Sequence, residues 1–236
     1  MATSVIELAP GVYRIPTMRD YINSYAFVDD DGQVTLIDTG LKRAPKKIVE
    51  GLAAIGKHPH DVTRIVLTHA HNDHAGGAHE MVVKTAASGV QVHQADSEFI
   101  RTGTRPPVDT SITSGRIFTR LSSGGFSPTQ VSQTLSDGDV IDVAGGVRVH
   151  HTPGHSPGHI SLLHEPTGVL ITGDAIFNMN ARMRWPVAAF CTSFRQNQQS
   201  AHVLGELQYK VAAFTHGPEI RDGAREAIRG FLSKKS

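Results

Sequence analysis

With 236 residues, 39% of them hydrophobic and 19% charged, the chain is long enough for a sizeable core and has an ordinary globular composition. Its 23 basic and 22 acidic residues are interspersed and leave a formal charge of +1, which excludes the basic block or stripe of a nucleic-acid-binding surface; no apolar stretch approaches the roughly 18 residues of a membrane span. The single cysteine, Cys191, excludes an intrachain disulfide, and the first ten residues lack a basic start and a long apolar run, so a cytoplasmic protein forming one domain over 1–236 is expected.

Short strands are expected at 5–8 and 12–15, divided by Pro10-Gly11. The runs 23–28 and 33–37 flank Asp29-Asp30-Asp31-Gly32, a hairpin signal, and the second run stops at Asp38-Thr39-Gly40. The spacing of Ile48, Leu52 and Ile55 predicts a helix over 45–55, with Pro45 in its first turn and Gly56 beyond its end. A short buried strand at 64–67 runs into Thr68-His69-Ala70-His71-Asn72-Asp73-His74, where a helix is expected to start near Asp73. A strand at 90–93 and a helix around 95–101 follow. The stretch 103–128 is rich in Gly, Pro, Ser and Thr but carries Ile112, Ile117, Phe118 and Leu121. It reads as a surface loop with one helical turn, and its length marks it as a candidate active-site lid or homodimer contact.

The second half is rich in strands, at 131–135, 140–143, 147–151, 159–163 and 169–172. A helix over 192–207, a strand at 211–215 and a last helix over 222–232 complete the chain. Two successive sets of strands with helices predict an α/β fold, a four-layer αββα sandwich. The runs ending at Asp38-Thr39-Gly40 and at Gly173-Asp174 look alike, each an apolar strand that stops at an aspartate beside a glycine.

Fourteen histidines make their placement the question to ask, because imidazole is the commonest metal ligand. In an extended segment residues i and i+2 point the same way, so His69 and His71 can hold one ion. A turn into a helix then swings Asp73 and His74 toward a neighbouring ion. Imidazole and carboxylate donors suit Zn, Fe or Mn. Two metal spheres need more ligands, and the chain offers them at strand ends: His155 after Thr152-Pro153-Gly154, Asp174 after Gly173, and His216 before Gly217-Pro218. Asp38 reads as a buried turn residue that orients a ligand histidine, and His159 as support for the Pro157-Gly158 loop. Arg182, Arg184 and Trp185 read equally as a pocket wall, with arginine holding a substrate carboxylate, or as a solvated loop. Cys191 reads as a packing thiol.

Thr68-His69-Ala70-His71-Asn72-Asp73-His74-Ala75-Gly76-Gly77, Thr152-Pro153-Gly154-His155-Ser156-Pro157-Gly158-His159, Gly173-Asp174 and His216-Gly217 together resemble the motifs of the metallo-β-lactamase superfamily, in that family's order and over nearly the whole chain. The resemblance is nearest to the glyoxalase II-like and lactonase-like binuclear metallohydrolase branch. It implies that His69, His71 and His155 bind one metal, that Asp73, His74 and His216 bind a second, and that Asp174 bridges them. It also implies two divalent ions, zinc first with iron or manganese as alternatives. Two cations about 3.5–4 Å apart share a water and lower its pKa toward ~7, so the implied reaction is attack on an ester, thioester or lactone carbonyl. In relatives the residue matching Asp73 passes the proton to the leaving group, which makes Asp73 the expected catalytic residue. Lactonase-like relatives carry a tyrosine three residues after the bridging aspartate, where this chain has Phe177. The alternatives on the same fold are an iron dioxygenase of the persulfide type and an RNA-processing nuclease. The expected partner is a small-molecule substrate, with no nucleic acid and no membrane, and a homodimer is the assembly to test.

Overall fold

A computed structural model of the protein describes residues 4–121 and 125–234. The expectations for the first three residues, for residues 122–124 and for the side chains of Phe118 and Leu121 lie outside the described residues. One sheet holds β1 (Ile6–Ala9), β2 (Val12–Pro16), β3 (Asn23–Val28), β4 (Val34–Ile37), β5 (Val62–Val66), β6 (Val90–His93) and β7 (Val131–Leu135), side by side in chain order. The first four pair antiparallel, and β4 through β7 pair parallel. Parallel neighbours need crossovers, and these carry α1 (Pro45–Ala54), α2 (Asn72–Ala75), α3 (Ala78–Lys84), α4 (Ser97–Thr102) and α5 (Thr113–Leu121).

The second sheet is built from β8 (Val140–Ile141), β9 (Val147–His151), β10 (Ile160–His164) and β11 (Val169–Ile171). A separate hairpin of β12 (Phe177–Met179) and β13 (Arg182–Arg184) precedes α6 (Phe194–Ser200) and α7 (Val203–Glu206). The chain then returns as β14 (Val211–Ala213), parallel to β11, and ends in α8 (Ala224–Leu232).

The strand period of two sorts side chains into three cores. On β5, Ile65 faces Ile48, Leu52 and Met81 of the helices, while Val66 faces the other sheet. On β3, Ala26 goes with the helices and Tyr25 and Phe27 with the second sheet. On β11, Val169 and Ile171 meet the first sheet while Leu170 packs with Leu204, Ile228 and Leu232 under the last helices. Helices, sheet, sheet, helices is the four-layer sandwich that the pattern predicts. Among the described residues, no helix is long and apolar enough to cross a membrane.

Three local readings change. The 103–128 stretch holds the nine-residue α5 where a single turn is expected. Its start is organised by Asp109, whose Oδ1 accepts from the Ser111 backbone N–H (2.9 Å) and hydroxyl (2.5 Å). The poor helix formers Thr113, Ser114 and Gly115 hid it. Arg182 and Arg184 lie on a hairpin, β12 and β13, and not on a solvated loop: Asn180 and Ala181 take φ of 54° and 55°, the left-handed pair that a two-residue turn needs. Alanine there carries no turn signal. Finally, the expected 192–207 helix is split into α6 and α7.

Parallel pairs end on the same side. The loops after β4, β5, β11 and β14 therefore meet at one rim, joined by that after β9. Backbone bonds tie the sheets together there: Asn23 N–H donates to Thr215 O (2.9 Å) and Ile160 N–H to Thr68 O (2.9 Å).

Candidate metal centre

The rim gathers all seven residues that the sequence singles out. After β5 the chain bends at Thr68 and Ala70 and is extended at His71, whose carbonyl then accepts from His74 N–H (3.0 Å) and Ala75 N–H (2.8 Å) to open α2. His69 and His71 thus project from a bent loop and not from the straight extended run that the spacing suggests, and Asp73 and His74 from the first helical turn.

Three ring nitrogens converge first. His71 Nδ1 lies 3.0 Å from His69 Nε2 and 2.9 Å from His155 Nε2. Beside them, His216 Nε2 lies 3.3 Å from Asp73 Oδ2, and His74 Nε2 lies 3.8 Å from Asp73 Oδ1. Asp174 stands between the groups. Its Oδ2 is 3.1 Å from His155 Nε2, 3.3 Å from His216 Nε2 and 3.9 Å from His69 Nε2, and its Oδ1 is 3.4 Å from His74 Nε2. The donor atoms of His69, His71 and His155, of His69, His74 and Asp174, and of Asp73, His74 and His216 form trios within 4.8 Å.

The electrostatics differ across this centre. Burial, then neighbouring imidazoles, push His69 well below its ordinary range and His71 down to about 3, so both rings are neutral with lone pairs available. Burial acts the same way on His74 and His216, but the surrounding carboxylates together outweigh it, Asp174, Asp73 and Asp38 for His74 and Asp174 with Asp73 for His216; His74 is raised well above its usual value and His216 to about 10. Burial would raise the Asp73 and Asp174 carboxyls, yet the surrounding imidazoles hold both below the usual carboxylate range. The donor set fits divalent cations. Five imidazoles and two carboxylates face one another, and the buried Nε2 of His74 has no hydrogen bond among the described residues.

Other residues hold these groups in place. Asp38, with φ of 57°, accepts from Thr68 N–H and Thr68 Oγ1, both at 2.8 Å, and its Oδ2 lies 2.8 Å from His74 Nδ1. The left-handed backbone of a non-glycine residue is costly, and the three bonds offset that cost. Asp38 therefore orients His74, as expected, and leaves Nε2 toward the centre. His159 accepts from Asp174 N–H at Nε2 (2.7 Å) and turns Nδ1 toward Thr152 O (3.0 Å); burial, with the neighbouring His155, lowers its pKa to about 3 and fits this neutral tautomer. Thr215 Oγ1 donates to Asp174 Oδ1 (2.6 Å), and His216 Nδ1–H donates to Tyr21 O (2.6 Å). Gly173, at φ of 55°, is needed because a Cβ would sit 2.5 Å from His159 Nε2.

Sequence reasoning missed Asp96. This fully buried carboxylate accepts from Ala70 N–H (2.9 Å), Ser156 Oγ (2.6 Å) and Gly158 N–H (2.6 Å). It joins the loop bearing His69 and His71 to the loop bearing His155. Asn23 is a second omission: its Nδ2 donates to Phe214 O (3.0 Å) and Gly217 O (2.8 Å), bracketing His216. Neither carries a local motif. Cys191 is a buried thiol, as expected, but its Sγ lies 3.5 Å from His155 Nδ1, so it also touches a site histidine. Burial pushes that thiol up to about 12, which removes it as a nucleophile.

The centre opens into a cavity of about 280 Å³. His71, Asp73, His155, Asp174 and His216 line it, facing Val108, Phe177, Val187 and Phe190, with Asn72 and Arg105 also in the lining. Arg182 and Arg184 are not among the lining residues; both are exposed on β13, and Trp185 packs against Phe231 with the rings tilted at 50° and 4.7 Å apart. The arginine at the cavity is Arg105, from the other candidate segment.

The model of the metallo-β-lactamase superfamily matches residues 18–216. An uncharacterized Bacillus subtilis protein, YobT, is 30% identical over 221 residues, covering 88% of this chain and 89% of that one. Human acyl-coenzyme A thioesterase MBLAC2 is 29% identical over 160 residues, 62% of this chain and 55% of its own length. In three dimensions the metallo-β-lactamase family protein TTHA1429 of Thermus thermophilus aligns with a TM-score of 0.73 at 29% identity, over 96% of this chain and 80% of that one. Motif order, layer order and convergence of the strand-end loops agree with these likenesses, and the chain belongs to the metallo-β-lactamase superfamily.

Proposed function

We propose that the protein is a binuclear metal-dependent hydrolase that cleaves an ester-type carbonyl, an ester, thioester or lactone, of a small metabolite. The observation that carries this reading is the pair of ligand groups sharing Asp174 at the base of a half-apolar cavity. His69, His71 and His155 would hold one ion and Asp73, His74 and His216 the other. Two bound ions would supply Lewis acidity and a water of lowered pKa. The protein's own part is orientation and proton handling. Asp73 lines the cavity with its Oδ2 3.3 Å from His216 Nε2, where it would take a proton from the attacking water and return it to the leaving group. Val108, Phe177, Val187 and Phe190 offer an apolar surface for the non-reacting part of the substrate. The likeness to an acyl-coenzyme A thioesterase supports a thioester among the candidates. A mononuclear iron dioxygenase would leave the Asp73–His74–His216 group without a role.

Elemental analysis of the purified protein tests the proposal first, followed by ester, thioester and lactone panels. About two zinc, manganese or iron ions per chain with turnover of one panel is the expected result. Full loading with no hydrolysis of any panel, or one iron per chain with oxygen consumption on persulfides, would overturn it.

A further inference from the structure

Arg14, on β2, is buried, which is rare for a permanent cation and demands partners. Its Nη1 donates to Asp20 Oδ1 (2.6 Å) and to Asn23 Oδ1 (3.1 Å), and its Nε lies 2.9 Å from Glu219 Oε2. Asp20 belongs to the loop between β2 and β3, and Glu219 to the loop after β14 that carries His216. One guanidinium therefore joins two segments at the seam between the sheets. Attraction within a buried ion pair is largely offset by desolvation, so net stability is a weak account of it.

The contact with Asn23 fixes which way an amide faces. A guanidinium offers only donors, so the amide end beside it must be the oxygen. Asn23 Nδ2 is then left to donate to Phe214 O (3.0 Å) and Gly217 O (2.8 Å), the carbonyls on either side of Thr215-His216. Backbone bonds complete the cradle: Asn23 N–H donates to Thr215 O (2.9 Å) and Gly217 N–H to Asp20 O (2.8 Å), while His216 Nδ1–H donates to Tyr21 O (2.6 Å). All of these run between residues 20–23 and residues 214–217. The loops bearing His69, His71 and His155 are tied instead by Asp96. Asn178 of β12 also holds the His216 loop, with its N–H on His216 O (2.8 Å) and its Nδ2 on Pro218 O (2.8 Å), so the segment keeps an anchor that does not depend on Arg14.

We propose that Arg14 is a positioning residue for one of the two ligand groups: by orienting Asn23 and joining Asp20 to Glu219, it holds the His216 imidazole with Nδ1 on Tyr21 O and Nε2 toward Asp73 and Asp174, and so sets the metal affinity of the Asp73–His74–His216 group without acting on His69–His71–His155. The proposal rests on the reading of two ligand groups that share Asp174. Partners that orient a ligating imidazole are worth about 10- to 100-fold in metal affinity, which sets the scale of the effect.

The test is stepwise zinc titration of the full chain, parent against Arg14→Met, with His71→Ala and His216→Ala identifying which step belongs to which group. Arg14→Met is expected to weaken the Asp73–His74–His216 step about 10- to 100-fold and to leave the other step at the parent's affinity. Arg14→Lys keeps the charge without the planar fork and should fall between. The Asp20 side chain is 60% exposed, so Asp20→Ala opens the same bridge in a chain that folds even if Arg14→Met does not; it should weaken the same step a few fold. NMR of the histidine side chains before zinc is added gives a readout without metal. The His216 Nδ1–H signal, identified by its absence in His216→Ala, should exchange with water about tenfold faster or more in Arg14→Met or, where that chain does not fold, measurably faster in Asp20→Ala. Equal weakening of both steps, which a merely structural residue would give, or parent-like affinity at both, overturns the proposal. If the parent itself binds a single zinc, the binuclear reading fails; faster His216 exchange in the variants then still upholds the positioning role, and unchanged exchange overturns it.

Discussion

β4 and β11 are each a strand of a parallel pair followed by a buried aspartate, Asp38 directly after β4 and Asp174 three residues after β11, and both aspartates meet His74, from opposite sides. Asp38 is surrounded by Thr68 N–H, Thr68 Oγ1 and His74 Nδ1. The side chain of Asp174 accepts from Thr215 Oγ1 and otherwise faces the Nε2 atoms of four histidines. The difference lies in how many protein donors each carboxylate already satisfies. A saturated carboxylate orients its neighbour, while one with spare lone pairs can serve a cation.

Substitutions that exchange these environments give the largest effects. Asp174→Asn should cost both ions and lower kcat/KM by about a thousandfold or more, roughly 4 kcal/mol, read by elemental analysis and steady-state kinetics. His71→Ala and His216→Ala should each reduce bound metal from about two ions to one. Retention of both ions in either variant would break the two-group assignment.

Reloading of the chelator-stripped protein should depend on pH. His71, pushed down to about 3, has no proton to lose near neutrality, whereas His216, raised to about 10, must release one. Between pH 8 and 6 the Asp73–His74–His216 group should therefore weaken about tenfold per pH unit for each displaced proton. Stepwise metal titration at the two pH values measures this; binding that is independent of pH at both steps would contradict it. Asp38→Asn places an amide where three donors converge and should weaken metal binding by about 10- to 100-fold. The smallest effect is expected for Thr215→Val, a loss of a few fold in kcat/KM from one hydrogen bond to Asp174. A Thr215→Val loss as large as that of Asp38→Asn would reverse the ranking of the two environments.

His69, His71, Asp73 and His74 were legible in the sequence because six consecutive residues hold their geometry, and strand ends carry His155, Asp174 and His216. The four layers were legible because β3, β5 and β11 alternate their faces. Asp96 was not legible: its partners lie 26, 60 and 62 residues away, and nothing near it in the chain names them. Arg105 was hidden for a related reason. Arg182 and Arg184 lie soon after Asp174, but the β12–β13 turn points them elsewhere, while packing of 105–109 on 187–192 brings Arg105 to the cavity. Distance along the chain misled where a left-handed Asn-Ala turn intervened.

The rim where the two sheets meet also makes the centre a clasp. The first sheet's half carries His69, His71, Asp73 and His74, and the second carries His155, Asp174 and His216. The His69–His71–His155 and Asp73–His74–His216 groups each draw on both halves. A cation bound to either one cross-links the halves and stabilises only their joined form, by about 4 kcal/mol at a thousandfold excess over Kd. A chain nicked between β7 and β8 would leave two fragments with incomplete ligand sets, and their reassembly would be gated by metal.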